Sequence, residues 1–439
     1  MKRALYEQLI IWKNSSKRKP LLLQGARQVG KTYLVNAFGK AEYTNYIYLN
    51  FEQDPNLHNL FTGNLDPHLI ISNLGLYLGK KIESEDTLLF FDEIQAIPLA
   101  ITSLKYFYEQ CPGFHIIAAG SLLGVSVGKT SSFPVGKVNF MTLHPMQFSE
   151  YLTAFGEELI VEKQLKAESI EMFPEIIHDK LLSHLKNYLY LGGMPEVLQS
   201  YITEKDITIA RAIQNDILTA YQRDFSKYTE KTQAIRTSEL WNSVPNQLAK
   251  ENKKFKYGDV RKNARSKMYE QTIEWLKNAG LIHLAYNIQA PKIPLAGYAD
   301  YTKFKIFLLD TGLLGAMLNL TPDIIIKPNE LFTEYNGAFI ENFVASELLL
   351  SENNELYYWT SKSDAEVDFI LQISNEVYPL EVKSGISRNL KSIRSYADKY
   401  KPKYIFRVSP RNFSQNNESV NVPLYAVFLL REIIQTKMK

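Results

Sequence analysis

Four short apolar runs punctuate the first third of the chain, at residues 21–23, 46–51, 87–91 and 115–119. Each is too short for a buried helix, and continuous runs of this length suit strands covered on both faces of a parallel sheet. Helix-compatible stretches lie between them, including Tyr33 to Phe38 and a segment opening at Pro98. This alternation predicts an α/β core over residues 1–160. From Ile160 the pattern turns helical and charged, and Gly192-Gly193-Met194-Pro195 is its sharp break, which predicts a helical lid over 161–230. Farther on, Val260, Ala264, Met268, Trp275, Leu276 and Ala279 recur near a period of 3.6, so Asp259 is expected to cap a helix that Gly280 stops. Apolar runs at 281–286 and 304–309 flank a Pro-rich tip, and a helix followed by such a hairpin predicts a winged helix-turn-helix over 231–330. The remainder, 331–439, reads as a helix over 336–350 and strands at 356–359, 366–371 and 377–383, the last two joined through an Asn375-Glu376 turn.

The 439 residues exceed what one core usually organises, and 45% hydrophobic with 22% charged residues fits a folded chain rather than a disordered one. A net charge of +3 demands no acidic partner, so any argument for nucleic acid rests on local clustering. The single Cys111 excludes an internal disulfide and a multi-cysteine zinc site, and fits a cytoplasmic protein. No apolar segment approaches the ~18 residues that span a bilayer, so no membrane partner is expected.

The sharpest chemical signal follows the first apolar run. Gly25-Ala26-Arg27-Gln28-Val29-Gly30-Lys31-Thr32 has the G-x-x-x-x-G-K-T pattern, in the strand-loop-helix context that a phosphate-binding loop requires. The two glycines let successive N–H groups converge on a polyphosphate at the positive end of the following helix. Lys31 is expected at the β- and γ-phosphates, with the Thr32 hydroxyl on Mg²⁺. The third apolar run ends in Asp92-Glu93. Asp92 is expected to hold Mg²⁺ through water and Glu93 to orient the attacking water, a role that a small-molecule kinase would not need. The fourth run ends in Gly120-Ser121, and Ser121 suits either a residue that senses the γ-phosphate or an ordinary strand-ending turn. A guanine-specific Asn-Lys-x-Asp motif is absent, which favours ATP.

These segments, with Phe91-Asp92-Glu93-Ile94-Gln95 and Leu143-His144-Pro145-Met146-Gln147-Phe148-Ser149-Glu150, resemble the AAA-type ATPase module of a bacterial and archaeal family with a C-terminal domain of unknown function. The resemblance extends over Tyr190 to Glu196 and Tyr221 to Tyr228. Within the second segment Arg223, whose guanidinium stays charged and spreads over several oxygens, is a candidate phosphate sensor or else pairs with Asp224 or another acid on a solvated helix face. Gly136-Lys137 stands where members commonly have Gly-Arg, and lysine lacks the bidentate fork of an arginine finger. Ring assembly, as in many AAA-type ATPases, is therefore left open.

Two further constellations complete the reading. Eight basic residues crowd between Lys250 and Lys267 against two acids, and Arg261, Lys262 and Arg265 are expected on the exposed face of a recognition helix that contacts DNA. Solvated lysines on a docking spacer would look the same. In the last region, Asp368 and Glu381 lie on neighbouring strands with Lys383 two residues on, and Glu341 sits on the preceding helix. Two carboxylates and a lysine suit metal-assisted phosphodiester cleavage, Asp368, Glu381 and Glu341 holding Mg²⁺ and Lys383 assisting the nucleophile. The pattern resembles the PD-(D/E)xK restriction-endonuclease-like fold. It is equally compatible with a salt-bridged strand face that does no chemistry. The sequence thus implies an ATP-hydrolysing AAA-type core that acts on or docks to DNA, or else a nucleotide-gated binding protein with an inactive nuclease-like domain.

Overall fold

The computed structural model describes the chain except for residues 85, 121–132, 164, 167–170, 229–230, 251–252, 324–332, 353–354, 362–364, 386–390, 417 and 438–439. It divides into two compact units, one of Met1–His144 with Asn278–Gly280, the other of Pro145–Lys277 with Leu281–Lys439.

The first unit is built on a five-stranded parallel sheet. Strands β1 (Leu21–Gln24), β2 (Asn45–Asn50), β3 (Thr87–Asp92), β4 (His115–Ala119) and β5 (Asn139–Thr142) lie in the order β2-β3-β4-β1-β5. All six residues of β3 are buried, as are Leu21, Leu22 and Leu23, because helices cover both faces. Leu22, Leu89, Phe91 and Ile116 share one core with Leu74, Leu104 and Phe107 of the helices Pro67–Leu78 and Pro98–Gln110. The four sequence-predicted strands all form. The fifth, Asn-Phe-Met-Thr, is half exposed and has no apolar run to announce it.

The second unit opens with helices, among them Phe148–Ala154, Glu175–Leu191, Pro195–Glu204, Ile207–Tyr228 and Lys231–Leu248. The Gly-Gly-Met-Pro break separates the second and third of these, with Gly192 at φ 73°. An eight-stranded sheet follows. Its strands are β6 (Ile282–Ile288), β7 (Ala299–Leu308), β8 (Leu356–Thr360), β9 (Glu366–Ile373), β10 (Glu376–Val382), β11 (Ile405–Ser409), β12 (Ser414–Asn416) and β13 (Ser419–Pro423). Their order is β12-β13-β11-β10-β9-β8-β6-β7.

Two expectations change here. The hairpin expected as the wing of a separate module is β6-β7, and β6 pairs in parallel with β8, Ala285 opposite Leu356 through Ile288 opposite Trp359. The hairpin therefore belongs to the same sheet as the C-terminal strands, one that spans both sides of residue 330. Sequence pattern shows that a hairpin exists but not which edge it joins. The expected recognition helix is also interrupted. Helices Tyr257–Val260 and Ser266–Asn278 are separated by Arg261 in extended conformation (φ −156°, ψ 141°) and Asn263 at φ 67°. Only the second helix keeps a buried stripe, with Tyr269, Ile273 and Leu276, whereas Val260 and Ala264 are half-buried. Asp259 pairs with Lys250 at 2.7 Å, and it lies inside the first short helix, whose N-cap is Lys256.

Candidate functional site

The glycine loop over residues 25–32 has three positive φ values: Gly25 at 141°, Gln28 at 66° and Gly30 at 94°. A Cβ on Gly25 would stand 2.1 Å from the Leu143 carbonyl oxygen, so glycine is required there by contact as well as by conformation. Leu143 is held alongside through its amide, which donates to Gln24 O at 2.8 Å. From below, Arg3 donates to Val29 O at 2.8 Å and to His144 O at 2.6 Å. The helix Lys31–Glu42 starts directly after Gly30 with no side chain capping its N-terminus, which leaves first-turn N–H groups for an anion. Ala26 and Val29 are buried as the loop's anchors; Arg27 and Gln28 are exposed at its crest.

Lys31 is 7% exposed and donates to Gly25 O at 2.9 Å and Ala26 O at 2.8 Å. Burial pushes its pKa down to about 8, against the pull of Glu93 and Asp92. The loop carbonyls thus hold the ammonium where phosphate oxygens would be better partners. Thr32 Oγ1 donates to Asp92 Oδ2 at 2.9 Å, joining the loop to the end of β3. Asp92 is 3% exposed and also accepts from Tyr48 Oη at 3.1 Å and from the Glu93 amide at 3.1 Å. Its pKa is raised by burial, which those hydrogen bonds and Lys31 partly oppose. Glu93 sits in left-handed conformation (φ 51°, ψ 41°), and its carboxylate accepts from Gln95 Nε2 at 2.5 Å. A hydroxyl and a carboxylate within hydrogen-bond distance are the hard oxygen donors that Mg²⁺ takes beside a polyphosphate, so the residues fit that ion. Ser121 lies outside the described residues. Arg3 and Tyr48 escaped sequence reasoning because both act from other elements, one through backbone carbonyls and one through a neighbouring strand.

The C-terminal constellation is assembled differently from expectation. The β9-β10 hairpin forms, Leu380 opposite Phe369, and Asp368 Oδ2 accepts from the Val382 amide at 2.7 Å. Lys383 Nζ donates to Glu381 Oε1 at 2.5 Å, as alternation along the strand requires. Glu341 is 2% exposed on the helix Thr333–Glu352. The unforeseen member is Lys305 of β7, whose fully buried side chain donates to Glu341 at 2.8 Å and Glu366 at 2.6 Å, with Asp368 Oδ1 at 3.9 Å. Lys253 takes the other oxygen of Glu341. Burial and the charges of Glu341 and Glu381 push Asp368 up to about 7, and Glu381 is raised too, chiefly by burial. Among the described residues no group of three acidic, histidine or cysteine side chains is arranged to hold a metal ion. The expected Mg²⁺ shell of Asp368, Glu381 and Glu341 therefore does not fit: ammonium groups already stand between the carboxylates. A signal existed, since Lys305 interrupts the apolar run Phe304 to Leu309, but it names no partner.

Arg261, Lys262 and Arg265 are exposed, in the link between two helices rather than along one. Arg261 lies 3.6 Å from Glu239. No helix of the described residues is long and apolar enough to cross a membrane.

Comparison with known proteins matches residues 182–324 to a domain of unknown function (DUF8612) and 336–427 to another (DUF4143). Two uncharacterized proteins, Rv2008c of Mycobacterium tuberculosis and Mb2031c of Mycobacterium bovis, are each 36% identical over 93 residues, which span 20% of this chain and 20% of the relative. Among solved structures, the Walker-type ATPase paby2304 of Pyrococcus abyssi covers 72% of this chain and 95% of its own at 16% identity and TM-score 0.44. The ORC1 protein of Aeropyrum pernix in complex with DNA covers 72% and 90% at 12% identity and TM-score 0.29. Residues 17–152 match the family model of an AAA domain, and the glycine loop, Thr32 and Asp92 all fall within the matched segment.

Proposed function

We propose that the chain binds ATP with Mg²⁺ at residues 25–32 and hydrolyses it, using the nucleotide cycle to govern docking to DNA. The observation that carries the reading is the Thr32–Asp92 contact beside a loop whose buried lysine donates to the loop carbonyls of Gly25 and Ala26. On phosphate arrival Lys31 exchanges two carbonyl partners for anionic oxygens, which suits a group with a pKa near 8 to stay charged. The amides of the loop and of the first turn bind the β-phosphate, and Gly25 keeps their approach open. Thr32 and Asp92 would hold Mg²⁺, which supplies charge neutralisation on the phosphates. Glu93 accepts the proton of the attacking water, and Gln95 Nε2 donates to one of its two carboxylate oxygens, which orients the group. Measuring ATP turnover by wild type and by Lys31→Ala tests this, and equal rates would end it.

The DNA half of the proposal rests on the basic run from Lys250 to Lys267, in which Arg261, Lys262 and Arg265 are exposed. A restriction-endonuclease-like ancestry for residues 331–439 is supported by the Asp368, Glu381-x-Lys383 pattern on a β-hairpin. The ammonium groups among those carboxylates favour a domain that recognises and does not cut.

A further inference from the structure

The carboxylates that a metal-dependent nuclease would use to hold its ion converge in this chain on the tip of a lysine. Lys305 Nζ is fully buried, 2.8 Å from Glu341 Oε1, 2.6 Å from Glu366 Oε1 and 3.9 Å from Asp368 Oδ1, with the Tyr358 ring 5.1 Å away. The three acids come from the helix Thr333–Glu352 and from β9, and the lysine from β7. Both oxygens of Glu341 are taken by ammonium groups, one from Lys305 and one from Lys253. Asp368 Oδ2 is taken by the Val382 amide and Glu381 Oε1 by Lys383. Among these four acids, Glu381 Oε2 is the buried oxygen that no hydrogen bond reaches.

A divalent ion needs about six oxygen ligands in a near-octahedral shell, most of them deprotonated carboxylate or water. Here the centre of the cluster is filled by a monovalent cation on a covalent tether, and a second cation beside it would meet Lys305, Lys253 and Lys383 at close range. We propose that the Lys305 ammonium is the resident cation of this site: it takes the place of the divalent ion, closes the cluster to metals, and turns a cleavage-type centre into an internal clamp between β7, β9 and the helix that carries Glu341. Removing one partner of such a buried set leaves an uncompensated charge, so the cluster is tied to folding rather than to chemistry. The proposal is independent of whether the amino-terminal module hydrolyses ATP.

The test is Mn²⁺ titration of the full chain, freed of metal and nucleotide, followed by calorimetry and by the thermal midpoint, for wild type, Asp368→Asn and Lys305→Met. The expected result is that wild type and Asp368→Asn give the same weak, unsaturated response below ~1 mM Mn²⁺, an affinity weaker than ~4 kcal/mol. Lys305→Met is expected to melt lower in the absence of metal and to gain about 4 °C or more from Mn²⁺, because its carboxylates then seek a cation. Saturable binding of one Mn²⁺ by wild type that Asp368→Asn abolishes would overturn the proposal, as would a folded Lys305→Met that Mn²⁺ leaves unmoved. If Lys305→Met fails to fold, the wild-type and Asp368→Asn pair decides alone.

Discussion

The Thr32 hydroxyl donates to the Asp92 carboxylate at 2.9 Å, which ties the last residue of the glycine loop to the last residue of β3. If the proposed function holds, this contact sets two of the oxygen donors side by side, and groups held in place cost less to order on binding. Lys31→Ala is expected to lose ATP binding as well as turnover. Glu93→Gln is expected to keep binding and lose about 10²-fold or more in turnover. Fluorescent-nucleotide titration with a phosphate-release assay separates the two; a Glu93→Gln variant that turns over normally would remove Glu93 from its assigned part.

Glycine positions give a second prediction. A Cβ on Gly192 would stand 2.1 Å from Asp310 Oδ1, and Asp310 is fixed by accepting from the amides of Gly193 at 2.6 Å and Leu313 at 2.9 Å. Gly192 also has φ 73°, so Gly192→Ala combines strain with a clash and is expected to cost at least about 3 kcal/mol. Gly156, at φ 85° with nothing within 4 Å, has an unfavourable φ without a clash, and Gly156→Ala is expected to cost about 1 kcal/mol. Urea denaturation of both variants checks the difference.

A third concerns pH. Glu347 is 1% exposed, accepts from the Phe148 amide at 3.0 Å, and is pushed by burial from its ordinary 4.5 to about 8. A carboxyl raised in the folded state favours folding when protonated, so its contribution is full below pH 4.5 and is lost as pH rises through 8. At ~1.4 kcal/mol per pH unit this reaches a few kcal/mol. The thermal midpoint of Glu347→Gln should therefore gain on wild type steadily between pH 5 and 9; parallel curves would show that the carboxyl does not titrate in this range.

For DNA, the triple variant Arg261→Ala, Lys262→Ala, Arg265→Ala should bind duplex more weakly at all sequences. The slope of log affinity against log salt should flatten by about 2.7, at ~0.9 per lost phosphate contact. An unchanged slope would show that these three residues do not touch phosphate.

What the sequence disclosed divides along physical lines. The glycine loop, Asp92, Glu93 and four strands of the first sheet were legible because their signals are local: a fixed spacing, or an apolar run that only a buried strand explains. The β9-β10 hairpin was legible for the same reason, a short turn from which its register follows. Lys305 was not, since what it pairs with is decided by β6 joining β8, a contact between residues far apart in sequence. The recognition helix failed because a 3.6-residue period says nothing about Asn263 adopting φ 67°. Asp310 and Glu347 were silent because a carboxylate in an apolar stretch carries no record of which amide it will meet.

The shared edge between β6 and β8 has a practical consequence. Residues 182–324 and 336–427 match separate family models, yet Ala285 to Ile288 run beside Leu356 to Trp359. A fragment ending near residue 330 would leave β6 with an open rim of amides and carbonyls and Lys305 stranded without its acids. One starting there would bury Glu341 with nothing to neutralise it. Neither piece is expected to be a self-sufficient folding module, and recombination between relatives would have to exchange the two segments together.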